Sequence, residues 1–364
     1  MKNLTLLIKP VSSQCNLKCE YCFYHDVAQN RKVQNFGMMD EDTLETIIKK
    51  AYKYADNQVY IGFQGGEPML RGLGFYKKLI NFVEKYNVEK ISTQFSLQTN
   101  GNLIDEEWAS FFLKNNFLVG LSIDGYQDIH DLYRVDAKGN GTHKYALGAS
   151  RILSKYDVKF NILCVVTKHT ARHTKKVYNY FKGKGFRYLQ FIPCLDRIGG
   201  ENGKERFSLS SDAYGEFLVM LFRNWYSDLA SGNQISIRMF DNIVNLLHGH
   251  QPEACDMRGT CSRGTIIEAD GSVYPCDFYV LDDWYLGNVK KMDFRQIIIS
   301  DKMDTFIDQS VQIESECYAC EFYSICKGGC RRYKDDLENG ILKNYYCKAY
   351  KTFYSQTLNK FKQI

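Results

Sequence analysis

Thirteen cysteines constrain this chain more than any other feature, because they fall in two groups. Cys15, Cys19 and Cys22 come first, Cys164 and Cys194 stand alone, and eight lie between Cys255 and Cys347. The first apolar run, Leu4 to Ile8, is too short for a signal-peptide core, and no stretch reaches the roughly 18 apolar residues that a membrane span requires. A cytoplasmic protein is therefore expected, in a compartment where glutathione and thioredoxin keep thiols reduced. Metal is then the expected use of the cysteines, and their split predicts two metal-bearing regions.

A chain of 364 residues exceeds the roughly 250 to 300 at which one core stops growing, so one large and one smaller domain are expected. Apolar residues make up 45% and charged residues 24%, the balance of a packed globular protein rather than a disordered or membrane one. The net charge of +5 is modest. Lys49, Lys50, Lys175 and Lys176 sit on segments that read as solvated helix faces, so neither nucleic acid nor membrane is implied as a partner.

Strand-like runs alternate with helix-like ones up to about Leu195. Strands are expected at Leu4 to Lys9, Val59 to Gln64, Thr93 to Thr99, Phe117 to Ile123, Val158 to Val166 and Tyr188 to Ile192. Between them, Asp40 to Tyr54 sets Leu44, Ile47, Ile48 and Ala51 at helical spacing behind acidic residues suited to a helix start, and Phe75 to Tyr86 repeats the pattern. Such alternation predicts parallel strands joined by right-handed crossovers. Six units are too few for a closed eightfold barrel, so the expected fold is α/β, a partial (β/α)6 TIM-like barrel. Helical patterns at Asp212 to Leu229 and Phe240 to Leu247 lead into the cysteine-rich region, where the alternation ends. There Thr265 to Ala269 and Ser272 to Tyr274 flank Asp270-Gly271, a hairpin turn signal. A small loop-rich, cysteine-rich domain held by metal is expected to follow the barrel.

Cys15, Cys19 and Cys22 are spaced C-x3-C-x2-C directly after the first strand, and loops at the C-terminal ends of barrel strands are where catalytic groups collect. Three thiolates satisfy three irons of a four-iron cluster and leave one open to a ligand that is not protein. Zinc also suits closely spaced cysteines, but it would need a fourth local ligand, for which His25 is the near candidate.

This loop, Cys15-Asn16-Leu17-Lys18-Cys19-Glu20-Tyr21-Cys22, resembles the signature of the radical S-adenosylmethionine superfamily. The resemblance implies a cofactor that chelates the open iron and is cleaved, by one electron, to methionine and a 5′-deoxyadenosyl radical. It also implies contacts to that cofactor from Tyr21, from Gln64 at the end of the second strand and Gly65-Gly66-Glu67 after it, from Ser122 and Asp124 at the end of the fourth, from Arg134, and from Leu195 after the sixth. Each has an ordinary alternative: a glycine pair makes turns, an isolated arginine is commonly a surface residue, and Leu195 suits a core.

In the C-terminal third, Cys255-x5-Cys261 and Cys276 precede Cys317-x2-Cys320-x5-Cys326-x3-Cys330 and then Cys347. Eight thiolates make two full sets of four, suited to two electron-carrying clusters with no open iron; two structural zinc sites are the alternative. The pattern resembles the SPASM domain. That resemblance implies one cluster on Cys255, Cys261, Cys276 and Cys330 and another on Cys317, Cys320, Cys326 and Cys347, giving three 4Fe-4S clusters in all. It divides the chain into a radical S-adenosylmethionine partial barrel with its bridging helix over residues 1–235 and a SPASM domain with a C-terminal helix over 236–364. Cys164, in an apolar strand, and Cys194 are expected to be packing residues.

The whole chain resembles the anaerobic sulfatase-maturating enzymes, through Leu6-Leu7-Ile8-Lys9-Pro10, Ser96-Leu97-Gln98-Thr99-Asn100-Gly101, Tyr274-Pro275-Cys276-Asp277-Phe278-Tyr279 and Cys326-Lys327-Gly328-Gly329-Cys330. The implied activity is oxidation of a sulfatase cysteine or serine to Cα-formylglycine, with Asp277 as base and Tyr24 touching the substrate peptide. An Asp after a strand also serves to hold a turn. The implied partners are a sulfatase polypeptide and a small electron-transfer protein such as ferredoxin or flavodoxin, with the enzyme a monomer. Two other readings stand beside it: a maturase that forms thioether or carbon-carbon crosslinks in a ribosomal peptide, and a non-catalytic iron-sulfur carrier or zinc scaffold.

Overall fold

The computed structural model describes residues 2–336, 340–341 and 343–364. They form two compact units that are interleaved along the chain: Met1–Ser122, Arg134–Phe160 and Arg263–Phe306 make the first, and Ile123–Tyr133, Asn161–Ser262 and Ile307–Ile364 the second. The strands that matter for the site are, in order, β1 (Asn3–Ile8), β2 (Gln58–Phe63), β3 (Ser92–Thr99), β4 (Phe117–Ser122), β5 (Phe160–Val166), β6 (Tyr188–Pro193), β7 (Ser236–Ile237), β8 (Ile266–Ile267), β9 (Ser272–Tyr274) and β10 (Gly287–Asn288). The six strands expected from the alternation all form, each within two residues of its expected limits.

In the first unit, β1 to β4 are parallel and neighbour one another in sequence order, with Leu4 opposite Val59 and Val59 opposite Thr93. The buried residues of β1 alternate as Leu4, Leu6 and Ile8, the period of a strand with one face against a core. The helix Glu41–Tyr54 crosses from β1 to β2. It starts where Asp40 accepts the Thr43 N–H at 2.7 Å, and it buries Leu44, Ile47, Ile48 and Ala51. Asp105 caps Glu106–Lys114 in the same way through the Trp108 N–H, and this helix packs Phe112 against Phe117 of β4 at 5.5 Å.

The far edge of β1 is covered by residues from late in the chain. β8 runs parallel to β1, with Leu7 opposite Ile266, and β9 and β10 follow antiparallel. Asp270-Gly271 turns the hairpin: Gly271 has φ +90°, and the Asp270 carboxylate accepts the Ser272 N–H at 2.9 Å. Burying this edge removes a row of unpaired backbone groups. It also sets the segment after β9 beside the loop after β1.

In the second unit β5, β6 and β7 are parallel. The helix Ser211–Ala230 packs along the C-terminal helix Cys347–Phe361. Their joint core is aromatic, with Phe222 and Phe361 at 4.6 Å and Trp225 and Phe240 at 5.1 Å. Among the described residues no helix is long and apolar enough to cross a membrane.

Candidate active site

The loop that leaves β1 is held from several sides. The Lys18 N–H donates to Val135 O at 2.8 Å, and Leu17 forms a bridge with Asp136. The carbonyls of Ser12 and Gln14 accept the N–H groups of Gly66 and Glu67 at 3.0 and 2.8 Å. Ser12 has φ +53°, and its Oγ accepts from Arg31 and from the Phe36 N–H, both at 3.1 Å. Gly66 sits so close that a Cβ there would lie 1.8 Å from the Gln14 carbonyl oxygen. The glycine pair is thus pressed against the cysteine loop itself, and only glycine fits.

Cys15 is exposed at its surface, yet the protein packed around it pushes its thiol up to about 11, with the Leu17 N–H, 3.3 Å from the sulfur, opposing. Burial raises the Cys22 thiol as well, against the N–H groups of His25 and Tyr24 and the charge of Arg134. Such thiols ionise when a cationic centre binds them. The donor set is all sulfur, which suits an iron-sulfur cluster. Among the described residues no three Cys, His, Asp or Glu side chains converge as ligands of one shared metal ion. A cluster asks something else of its cysteines, since each thiolate meets its own iron. The Arg134 guanidinium donates to the Tyr21 hydroxyl at 3.0 Å, and Gln98 donates to Ser122 Oγ at 3.0 Å.

Glu67 is 1% exposed and engaged on both oxygens. One accepts from Thr99 Oγ1 at 2.8 Å and from the Met69 N–H at 3.1 Å, and the other from the Asn100 N–H at 2.8 Å. Burial pushes this carboxyl up to about 7 against those donors. Its side chain ties β2 to the turn after β3, so what Glu67 presents outward is backbone.

Tyr24 and Asp277 meet. The Tyr24 hydroxyl donates to Asp277 Oδ2 at 2.5 Å, and Phe23 and Phe278 pack edge to face at 4.8 Å beside them. Asp277 Oδ1 is buried and has no hydrogen-bond partner among the described residues. Burial raises the Asp277 carboxyl above its ordinary value, with Lys9 and the Tyr24 hydrogen bond pulling it back. Lys9 Nζ lies 4.9 Å from the centre of the Tyr24 ring and 3.0 Å from Glu268 Oε1, which also takes Arg31 at 2.7 Å. Lys9, Arg31, Glu268 and Asn100 stand outside the residues expected from sequence to act at the site. A signal for Glu268 was present, since it interrupts an otherwise apolar strand, Ile266-Ile267-Glu268-Ala269.

The second unit holds the remaining residues. Cys317, Cys320, Cys326 and Cys347 line one concavity with Tyr350 and Tyr354. Burial, and then the nearby Asp256, Cys255 and Cys261, raise the Cys330 thiol, so three more cysteines share one neighbourhood; Cys276 belongs to the first unit. Asp124 is buried, and its carboxylate accepts the Val165 N–H at 2.9 Å. Leu195 is half-buried. Cys164 and Cys194 are buried at 1% and 4%, as packing residues are.

Residues 10–181 match the radical SAM superfamily model, and residues 255–321 match the SPASM model, an iron-sulfur cluster-binding domain. The cysteine-type anaerobic sulfatase-maturating enzyme of Clostridium novyi (strain NT) is 46% identical over 361 residues, covering 99% of this chain and 96% of that enzyme. The serine-type enzyme of Bacteroides thetaiotaomicron is 32% identical, covering 97% and 89%. Among solved structures, native anSMEcpe with bound AdoMet and Cp18Cys peptide matches with a TM-score of 0.96 at 45% identity, over 100% of this chain and 98% of that one. The fold is accordingly the α/β partial barrel with a cysteine-rich, cluster-binding C-terminal domain.

Proposed function

The chain belongs to the anaerobic sulfatase-maturating enzymes of the radical S-adenosylmethionine superfamily, and on that footing we propose that its target is a cysteine of a sulfatase, oxidised to Cα-formylglycine. Its greater identity with the cysteine-type than with the serine-type relative supports that choice. The family leaves no place for a non-catalytic carrier, and no observation favours the crosslinking reading.

When bound, S-adenosylmethionine and a cluster on Cys15, Cys19 and Cys22 supply a 5′-deoxyadenosyl radical that removes a hydrogen atom from the target Cβ. Tyr21, Arg134, Ser122 and the backbone of Gln64, Gly65, Gly66 and Glu67 would hold that cofactor. The family resemblance adds Asp124 and Leu195 as contacts of the same cofactor; one Asp124 carboxylate oxygen accepts the Val165 N–H, so its part would be to fix backbone.

The observation that carries the reading is Asp277. One carboxylate oxygen is held by Tyr24 and the other is buried without a partner among the described residues, so the group is fixed with one acceptor to spare. A raised pKa makes it a better base. Loss of a hydrogen atom from Cβ, of the thiol proton to Asp277 Oδ1 and of one further electron leaves a carbon-sulfur double bond. Water converts that bond to the aldehyde and releases hydrogen sulfide. The electron's exit would be the clusters on the eight C-terminal cysteines, with Cys276 next in sequence to the base. Three 4Fe-4S clusters, a ferredoxin or flavodoxin as electron donor, a monomeric enzyme and a division of labour at residue 235 complete the proposal.

Anaerobic reconstitution with a cysteine-containing sulfatase peptide and its serine counterpart tests it. Formylglycine and 5′-deoxyadenosine should appear faster with cysteine, and a serine preference would refute the target assignment.

A further inference from the structure

The turn Thr99-Asn100-Gly101 after β3 has no part in the chemistry above, yet its middle side chain reaches the first cysteine. We propose that Asn100 sets the reduction potential of the cluster on Cys15, Cys19 and Cys22 by donating a hydrogen bond to the Cys15 sulfur. The proposal rests on the reading of those cysteines as cluster ligands.

The amide's orientation follows from its partners. Asn100 Oδ1 accepts the Asn102 N–H at 3.0 Å, so Nδ2 is the end that faces the loop. Its two protons serve Asn16 Oδ1 at 2.7 Å and Cys15 Sγ at 3.8 Å. The residue is 7% exposed and cannot swing away easily. Glu67 holds its backbone N–H, and Thr99 Oγ1 accepts the Gly101 N–H at 3.0 Å. Gly101 itself has φ +83°, and a Cβ there would meet Leu121 at 2.6 Å, which fixes the turn. Among the described residues Cys15 Sγ receives one other N–H, from Leu17, and that backbone donor survives any change of side chain. Among the described residues Asn100 is therefore the side chain that donates an N–H to this sulfur.

Reduction adds negative charge to the cluster and its sulfurs. A donor to a ligand sulfur stabilises the reduced form and raises the potential, and its loss lowers it. Asn100 acts through Cys15 and is a positioning residue.

The test is a potentiometric titration of anaerobically reconstituted full-length wild type, Asn100→Ala, Asn100→Asp and Asn100→Gln. It reads the electron paramagnetic resonance of the cluster whose signal changes on addition of S-adenosylmethionine. In Asn100→Ala and Asn100→Asp the oxidised-to-reduced ratio at fixed potential should rise about tenfold, a fall of about 59 mV for a one-electron couple. Asn100→Gln, which keeps an amide donor, should recover part of the shift, and the other clusters should not move. Unchanged midpoints at full iron content would overturn the proposal. So would loss of this cluster from any of the variants, which marks a merely structural residue. Absence of a cofactor-responsive cluster from the wild type would refute instead the assignment of Cys15, Cys19 and Cys22.

Discussion

Lys9 Nζ and Glu268 Oε1 stand 3.0 Å apart with 2% and 0% of their side chains exposed, a buried ion pair between the end of β1 and the end of β8. Arg31 shares the same oxygen, so one carboxylate answers two buried cations. Glu268→Ala should cost about 3 to 5 kcal/mol, because it removes the carboxylate that pairs both buried cations. Lys9→Met should cost less, since Arg31 still pairs Glu268. Anaerobic chemical denaturation measures both.

The same carboxylate makes stability depend on acid. Burial would raise the Glu268 carboxyl, but Lys9 and Arg31 outweigh it and hold it below its ordinary value. Its contribution is then present above the unfolded glutamate value of about 4.3 and is lost as pH falls through the lower folded value. Denaturation midpoints should fall on acidification in the wild type and fall less steeply in Glu268→Gln.

Asp277→Asn should reduce formylglycine formation by about 10² to 10⁴-fold while 5′-deoxyadenosine still forms, because the base acts on the substrate and not on the cofactor. Tyr24→Phe should cost roughly 10- to 100-fold, the size of a hydrogen bond to a charged group. Its pH profile gives a sharper check. The Tyr24 hydrogen bond pulls the Asp277 carboxyl down, so its removal should move the acidic limb of the rate profile to higher pH. An unmoved limb would mean that another group titrates.

Gly66→Ala places a methyl group 1.8 Å from the Gln14 carbonyl, where backbone meets backbone and no rotamer relieves the overlap. The cysteine loop must shift. Iron bound by the variant should drop by about four per chain, the content of one cluster, with 5′-deoxyadenosine formation lost alongside. Full iron content with normal cofactor cleavage would contradict the close packing.

Cys347→Ala should lower iron from about twelve to about eight per chain and leave cofactor cleavage in place, since Cys317, Cys320, Cys326 and Cys347 line a concavity in the second unit. Iron and sulfide analysis reads the first expectation, and a cleavage assay without peptide reads the second.

The sequence revealed those parts whose signals are local. β1 was legible from the alternation of Leu4, Leu6 and Ile8, and the helix Glu41–Tyr54 from its Asp40 cap and apolar spacing. The cysteines were legible because cluster ligands keep short spacings along the chain. The Asp270-Gly271 hairpin was legible as a hairpin, but not as a neighbour of β1, since nothing local names a strand's partner. The charged knot of Lys9, Arg31 and Glu268 was hidden for the same reason: a buried charge is tolerable only with partners that sequence distance conceals. Asn100 lies within the family-like motif Ser96-Leu97-Gln98-Thr99-Asn100-Gly101, yet its direction depends on Asn102 and on the fold of the turn. The interleaving of the two compact units has no sequence signature at all.

The pairing of β8 with β1 has a consequence for biosynthesis. A ribosome emits about 5 to 20 residues per second, and β8 emerges only after most of the chain has been made. The growing polypeptide must therefore carry a bare, apolar strand margin for on the order of tens of seconds. Chaperone shelter during translation suits such a chain, and a severed C-terminal third would lack the template on which its own hairpin aligns.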